Sequence, residues 1–118
     1  MIIQLNGQIR GGKNSVKTTR SGHRYPNPVF AKWRDGAVKE IWSQVKPGTP
    51  FILDCGATIQ YWHGDKIRRD VPALIDGIWH VLERAGVVKD DALIKEVHWL
   101  PMGLDRKKPR AVIVLESM

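Results

Sequence analysis

Residues 64–91 read GDKIRRDVPALIDGIWHVLERAGVVKDD, and this stretch decides the predicted fold. Pro72 suits the first turn of a helix, where its missing N–H has no intrahelical partner, and Gly86 suits the residue after the last turn. Between them, apolar residues recur at three- and four-residue steps and form one buried stripe: Leu74, Ile75, Ile78, Trp79, Leu82 and Ala85. The pattern predicts an amphipathic helix that starts at Asp70 and ends before Gly86.

Acidic residues stand at both ends of this helix and along one polar face, beside a basic cluster. The acids are Asp70, Asp76, Glu83, Asp90 and Asp91, and the basic residues are Lys66, Arg68 and Arg69. Phosphodiester hydrolysis needs an activated hydroxide and stabilisation of the charge that grows on the phosphate, and divalent cations supply both. Mg²⁺ prefers oxygen ligands such as carboxylates. The segment is therefore compatible with a metal-dependent phosphodiesterase.

A structural interpretation explains the same acids without a metal. Asp70 would cap its helix, Asp76 would be a solvated helix residue, and Asp90 and Asp91 would form a turn. Short acidic patterns are weak motifs. The residues alone leave both interpretations open.

Composition favours one small domain in a reducing compartment. The chain has 118 residues, of which 42% are hydrophobic, so residues 1–118 are expected to form a single domain. Cys55 has no partner for an internal disulfide, and no signal-like apolar run follows Met1, so we expect a cytoplasmic location. No apolar stretch approaches the ~20 residues needed to cross a bilayer, and no membrane partner is expected.

Positive charge is concentrated before Asp35, the first acidic residue. This segment contains Arg10, Lys13, Lys17, Arg20, Arg24, Lys32 and Arg34, seven charges that equal the net charge of +7. Such a distribution suits a polyanion such as nucleic acid. Residues 10–28 are rich in Gly, Ser, Asn and Pro and are predicted to form a basic loop, in which Lys13, Asn14, Arg20 and Arg24 either contact phosphates or are disordered.

The remaining patterns predict an α+β (mixed α/β) fold with a mixed sheet of about four strands and two main helices. Alternation of apolar residues indicates strands over 3–9 and 51–61, and helical spacing indicates a helix over 29–45. Residues 93–100 and 111–115 are predicted as two further strands that form a hairpin around a basic loop.

The central segment resembles RusA-type Holliday junction resolvases. The runs RRD, LERAG and VVKDDALI are similar to the family's RRDxDN motif, its helix ending in an Ala-Gly pair and the two aspartates that follow. The early Lys13-Asn14 region also looks like a loop of the family. The resemblance implies a RusA-like fold and a small basic homodimer that cuts four-way, branched DNA during recombination and repair. It also implies Mg²⁺ or Mn²⁺ held by aspartates.

Residue by residue, the resemblance matches Asp70 to the first metal-binding aspartate and Asp91 to the one after the helix, with Asp90 beside it. Arg68 and Arg69 match basic residues ahead of the motif. Two positions depart from the pattern, because Pro72 replaces a second aspartate and Ala73 replaces an asparagine. Proline cannot bind a metal.

Asp76 stands where the family carries a lysine, about one helical turn beyond the missing aspartate. We therefore expect Asp70, Asp76 and Asp91 to form the catalytic metal site, with Asp90 as an alternate ligand. Lys66, Arg68 and Arg69 are expected to bind DNA. The competing interpretation is a degenerate site in a protein that binds nucleic acid without cutting it.

Overall fold

The computed structural model describes residues 1–11, 16–46, 48 and 50–118. Its elements are β1 (Ile2–Asn6), β2 (Val16–Thr18), β3 (Arg24–Pro26), α1 (Pro28–Gln44), β4 (Cys55–His63), α2 (Val71–Arg84), the one-turn 3-10 helix η1 (Asp91–Leu93), β5 (Ile94–Leu104) and β6 (Arg110–Ser117). A four-stranded mixed sheet has the order β1-β6-β4-β5, and the two helices predicted from the sequence are present. The predicted α+β fold is confirmed. Neither helix is long and apolar enough to cross a membrane.

Helix α2 connects two parallel strands that lie side by side. β4 and β5 pair in parallel, and parallel neighbours need a crossover connection, which α2 provides here. The predicted hairpin of the last two strands is therefore wrong, because β4 lies between β5 and β6. β6 alternates buried and half-buried residues and is central, whereas β5 is mostly exposed and forms the edge.

The hydrophobic core lies between one face of the sheet and the two helices. Alternate residues of β4 and β6 point into it, and Ile59 and Ile113 are fully buried opposite each other in the register. Ile41 of α1 and Ile78, Val81 and Leu82 of α2 complete it with no exposed surface. The apolar stripe of α2 thus packs as predicted, with two differences. Val81 is buried although it was not predicted in the stripe, and Ile75 and Trp79 are only half-buried.

Strand boundaries differ from the predictions at the end of β1, at the start of β4 and at the end of β5, which runs to Leu104 and so past the predicted end at residue 100. β1 ends at Asn6 because Gly7, with φ of +90°, turns the chain and donates its N–H to the Pro109 carbonyl. The strand predicted from Phe51 begins only at Cys55, since Phe51 forms an isolated bridge with Val88 beyond α2. Apolar residues stand at every second position from Phe51 to Tyr61, so the sequence pattern did not reveal that β4 begins at Cys55.

The basic segment 10–28 contains regular structure that the sequence did not indicate. β2 and β3 form a two-stranded antiparallel ribbon, joined by a turn in which Oγ1 of Thr19 accepts a hydrogen bond from the His23 N–H and the Thr19 N–H donates to the His23 carbonyl. Short polar strands carry little hydrophobic alternation, so their periodicity was too weak to recognise.

Gly77, in the middle of α2, allows the chain after β1 to pass against the helix. A Cβ at this position would lie 2.3 Å from the carbonyl oxygen of Arg10. Gly11 approaches the same helix one turn earlier, where its own Cβ would lie 3.1 Å from that of Ala73. The absence of a side chain at residue 77 therefore fixes how residues 10 and 11 meet α2.

We expect Gly77→Ala to destabilise the protein by about 1–3 kcal/mol, because the added methyl group overlaps backbone that cannot move like a flexible side chain. The matched control is Gly36→Ala in α1, where an added Cβ meets no atom within 4 Å. That change should stabilise the helix by about 0.5–1 kcal/mol. Urea unfolding of both variants measures the difference, and an unchanged midpoint for Gly77→Ala would contradict the close approach.

Candidate metal and nucleic-acid site

Three carboxylates converge where α2 ends. One oxygen from each of Glu83, Asp90 and Asp91 lies within 4.8 Å of the other two. α2 ends at Arg84 with Ala85 as its C-cap, and Gly86, with φ of +78°, reverses the chain so that residues 90 and 91 return beside Glu83. Glu83 was recognised in the sequence as a polar-face residue and was not predicted as a ligand. Its position in the last turn, ahead of a glycine exit and two aspartates, was the available signal.

Backbone hydrogen bonds hold this acidic cluster in place. The Asp91 N–H donates to Oε1 of Glu83 over 3.3 Å, and the Ala92 N–H donates to Oδ1 of Asp90 over 2.9 Å. Asp90 thereby caps the one-turn helix η1, as the turn interpretation expected. Carboxylates have further lone pairs, so these bonds position the cluster without exhausting its oxygens.

Asp70 lies at the other end of α2. It occupies the N-cap position, yet its exposed side chain makes no capping hydrogen bond. It lines a cavity of about 310 Å³ together with Arg10, Arg69 and Phe30. Asp70 therefore lines a recess that the basic residues Arg10 and Arg69 also line.

The structure does not bring all the predicted ligands together within one chain. α2 has 14 residues and is about 20 Å long, with Asp70 before its first turn and the acidic cluster beyond its last. Asp76 is half-buried in the middle of the helix and does not belong to the cluster. Of the four predicted ligands, Asp90 and Asp91 adjoin each other, and Asp70 and Asp76 lie apart from them.

The predicted DNA-binding residues differ in whether their charge is exposed or bound to a neighbouring carboxylate. Lys66 and Arg68 are exposed on the loop before α2, whereas Arg69 donates to both carboxylate oxygens of Asp65, over 2.6 and 3.0 Å. Arg20 and Arg24 are exposed on the β2–β3 ribbon, and Lys13 and Asn14 lie outside the described residues.

The bidentate pair also sets the protonation of Asp65. Hydrogen bonding from Arg69 is the largest cause that lowers the pKa of Asp65 to about 2, and the Ile67 N–H adds to it by donating to Oδ1 over 3.0 Å. The pair raises the pKa of Arg69 in turn. The Asp65 carboxylate thereby closes the loop 65–69, because it forms a salt bridge with Arg69 and accepts a hydrogen bond from the Ile67 N–H.

We expect Asp65→Asn to weaken the fold at neutral pH and to become equivalent to the parent chain in acid. The folded pKa of about 2 lies below the ~3.9 of an unfolded aspartate. The stabilisation is therefore present above pH ~4 and is lost as pH falls through ~2. Urea midpoints across this range measure it, with Asp54→Asn as the control, since Asp54 forms no salt bridge with another residue that the structure describes. A difference that persists at the acid end would contradict the ion pair as its cause.

Comparison with known proteins gives one informative match. No protein-family model matches the chain. Over 79 residues, however, the chain is 30% identical to the crossover junction endodeoxyribonuclease RusA of Aquifex aeolicus (strain VF5). The aligned segment covers 67% of this chain and 62% of the relative, less than two thirds of that protein's length. The similarity supports a RusA-like relationship.

Proposed function

We propose that this protein is a metal-dependent, structure-specific endonuclease that cleaves four-way (Holliday) DNA junctions in recombination and repair. The observation that carries the proposal is the convergence of Glu83, Asp90 and Asp91 to within 4.8 Å in a chain similar to a crossover junction endodeoxyribonuclease. The excess of positive charge, +7 over 118 residues, suits a DNA substrate.

The acidic cluster has the donor chemistry of a hard divalent cation. All three side chains offer oxygen, which suits Mg²⁺ or Mn²⁺ and does not suit the softer metals that prefer sulfur or imidazole. Three carboxylates this close repel one another, and a cation relieves that repulsion. When bound, such an ion supplies charge stabilisation at the phosphate and an activated water.

The chain's own residues have separable roles in this proposal. Glu83, Asp90 and Asp91 hold the ion, and the hydrogen bonds from the Asp91 and Ala92 N–H groups keep two of the carboxylates in place before it binds. Lys66 and Arg68, exposed at the other end of α2, bind phosphates and fix the position of the DNA without reading its sequence.

Asp70 contributes to the same chemistry only if two copies of the chain associate. Because α2 separates Asp70 from Asp91 by about 20 Å, one ion cannot contact both within a chain. A two-fold homodimer can place Asp70 of one protomer beside the acidic cluster of its partner, and the same contact is then made twice. Two symmetric sites also match the approximate two-fold symmetry of a four-way junction.

A nucleic-acid-binding protein that does not cut is the second candidate function. Pro72 in the first turn of α2 favours it, since the RusA motif has an aspartate where this chain has a residue without a ligand atom. Asp76 would be the replacement in the nuclease proposal, one turn further along the helix. The two functions share DNA binding and differ in cleavage.

We expect Asp91→Asn and Glu83→Gln each to weaken metal binding by at least about tenfold and to abolish junction nicking. Even residues that only support metal ligands commonly cost 10–100-fold when they are replaced, so loss of a ligand costs at least as much. Isothermal titration with Mn²⁺ and cleavage of a labelled four-way junction measure the two effects. Glu96→Gln, an exposed acid on β5 outside the cluster, is the matched control.

Asp76→Asn belongs in the same series, because it tests the replacement ligand separately. Unchanged affinity and nicking in that variant would remove Asp76 from the site. Tight junction binding without nicks in the parent chain, at any divalent cation tested, would favour the binding protein instead.

Mixing two inactive variants tests whether Asp70 and Asp91 act across a dimer. Asp70→Asn and Asp91→Asn proteins should each be inactive alone. In a mixed dimer, one composite site would carry both substitutions and the other would carry neither, so nicking of one strand returns. Co-purified, differently tagged subunits provide the sample, and nicking assays provide the measurement. Mixed dimers that remain inactive would contradict the composite site and leave the acidic cluster of one chain as the candidate.

A further inference from the structure

A second recess lies beside the start of α2, on the helix side of the edge strand. This Trp99 cavity has a volume of about 270 Å³ and lies between β5, the first turn of α2 and the loop 65–69. Trp99 and Pro101 line it from β5, Tyr61 from β4, and Val71 and Leu74 from α2. It shares Leu74 and Arg69 with the cavity that Asp70 lines. It therefore adjoins the Asp70 cavity, at the opposite end of α2 from the acidic cluster.

The walls of the Trp99 cavity are aromatic and held in position. The rings of Trp99 and Tyr61 pack with centroids 5.1 Å apart. Tyr61 is buried, and its hydroxyl accepts a hydrogen bond from Nε2 of Gln8, which fixes the ring. Trp99 is half-buried on the edge strand, and its indole N–H has no acceptor among the described residues. One face of the pair is thus available to a flat ligand that can accept a hydrogen bond.

The rim of the cavity is positively charged. Lys66 and Arg68 line it and are exposed, and Arg69 joins them with its guanidinium held by two hydrogen bonds to the Asp65 carboxylate. A planar guanidinium is itself a surface on which a nucleobase can stack. Proteins bind single-stranded nucleic acid by stacking aromatic rings on its bases and placing cations near its phosphates. The Trp99 cavity combines both features, with aromatic walls and cations at its opening.

An exposed isoleucine stands between these cations. Ile67 has 67% of its surface exposed, and it also lines the cavity. The carboxylate of Asp65 accepts a hydrogen bond from the Ile67 N–H and so holds the backbone at this residue. Proteins that deform DNA insert apolar side chains of this kind between base steps and so unstack them.

We propose that the Trp99 cavity binds one unstacked nucleobase of the DNA substrate, with Ile67 displacing the base and Lys66 and Arg68 holding the flanking phosphates. The inference deepens the proposed action on branched DNA and rests on it for the substrate. Junction strands exchange at a point where stacking is interrupted, so a base there is less costly to displace than one within a duplex.

The test compares two single-stranded oligonucleotides of equal length, one of thymidines and one of abasic residues, with EDTA present. Both carry the same phosphates, so a difference in Kd reports base contacts alone. The parent chain should bind the thymidine strand about tenfold more tightly, the size expected of one stacked base. Trp99→Ala and Ile67→Ser should remove most of that preference, and Trp99→Phe should keep it.

Matched controls separate a local effect from loss of structure. Ile2→Ser replaces an isoleucine that is also 67% exposed, on β1 and away from the cavity, and should leave the preference unchanged. Thermal unfolding of each variant shows whether it is folded. Because Ile67 is largely exposed, Ile67→Ser should fold normally and keeps the test valid even if Trp99→Ala does not fold.

Two results would overturn the base-binding site: equal affinity of the parent chain for both strands, or an equal preference in the parent, Trp99→Ala and Ile67→Ser proteins. Because no cleavage occurs in EDTA, these results do not depend on nuclease activity. A chain that prefers bases through Trp99 but never nicks a junction would support the cavity and contradict the proposed endonuclease. Nicking without any base preference would do the reverse.

Discussion

Burial of one face of α2 against the sheet is the interaction on which the rest of this structure depends. The helix is the crossover between parallel strands β4 and β5, and Ile78, Val81 and Leu82 are completely buried beneath it. At about 25 cal/mol per Å² of apolar surface, these side chains contribute several kcal/mol of hydrophobic stabilisation. The position of α2 then determines where the residues that precede and follow the helix lie.

The two ends of α2 carry different chemistry because the chain approaches and leaves the helix differently. Before it, the Asp65–Arg69 pair closes a loop that exposes Lys66 and Arg68 beside the Trp99 cavity. After it, the turn at Gly86 returns Asp90 and Asp91 to Glu83. Positive charge and aromatic surface thus collect at one end, and carboxylates collect at the other. A substrate that needs both must extend along the helix or meet two copies of the chain.

Local sequence signals predicted the elements well and their pairing poorly. The bounds of α2 followed from Pro72 and Gly86, and the structure places its N-cap at Asp70 as expected. The hairpin of the last two strands was wrong, because adjacency in sequence does not reveal that β4 inserts between them. Gly77 was also overlooked, since the reason for a glycine there is the carbonyl of Arg10, 67 positions earlier in the chain.

The candidate site, like the fold, could be predicted only in part from the sequence. Asp90 and Asp91 could be proposed from their order after the helix, and they do adjoin each other in space. Glu83 was the missing third carboxylate, because only the reversal at Gly86 brings it beside them. The expectation that Asp70 joins Asp91 stays a prediction for two copies of the chain, because the length of the helix keeps the ends of one α2 about 20 Å apart.

The sequence by itself determined the two helices, the apolar stripe of α2, the concentration of positive charge and the residue types available at either helix end. These properties follow from the composition and spacing of neighbouring residues, which act within a few positions of the chain. Only the tertiary structure decided that β4 lies between β5 and β6, that Glu83 completes the acidic cluster, and that Asp65 neutralises Arg69 while Lys66 and Arg68 stay exposed. Each of these depends on distances through space, which are fixed by how the helix packs on the sheet and not by the order of residues along it.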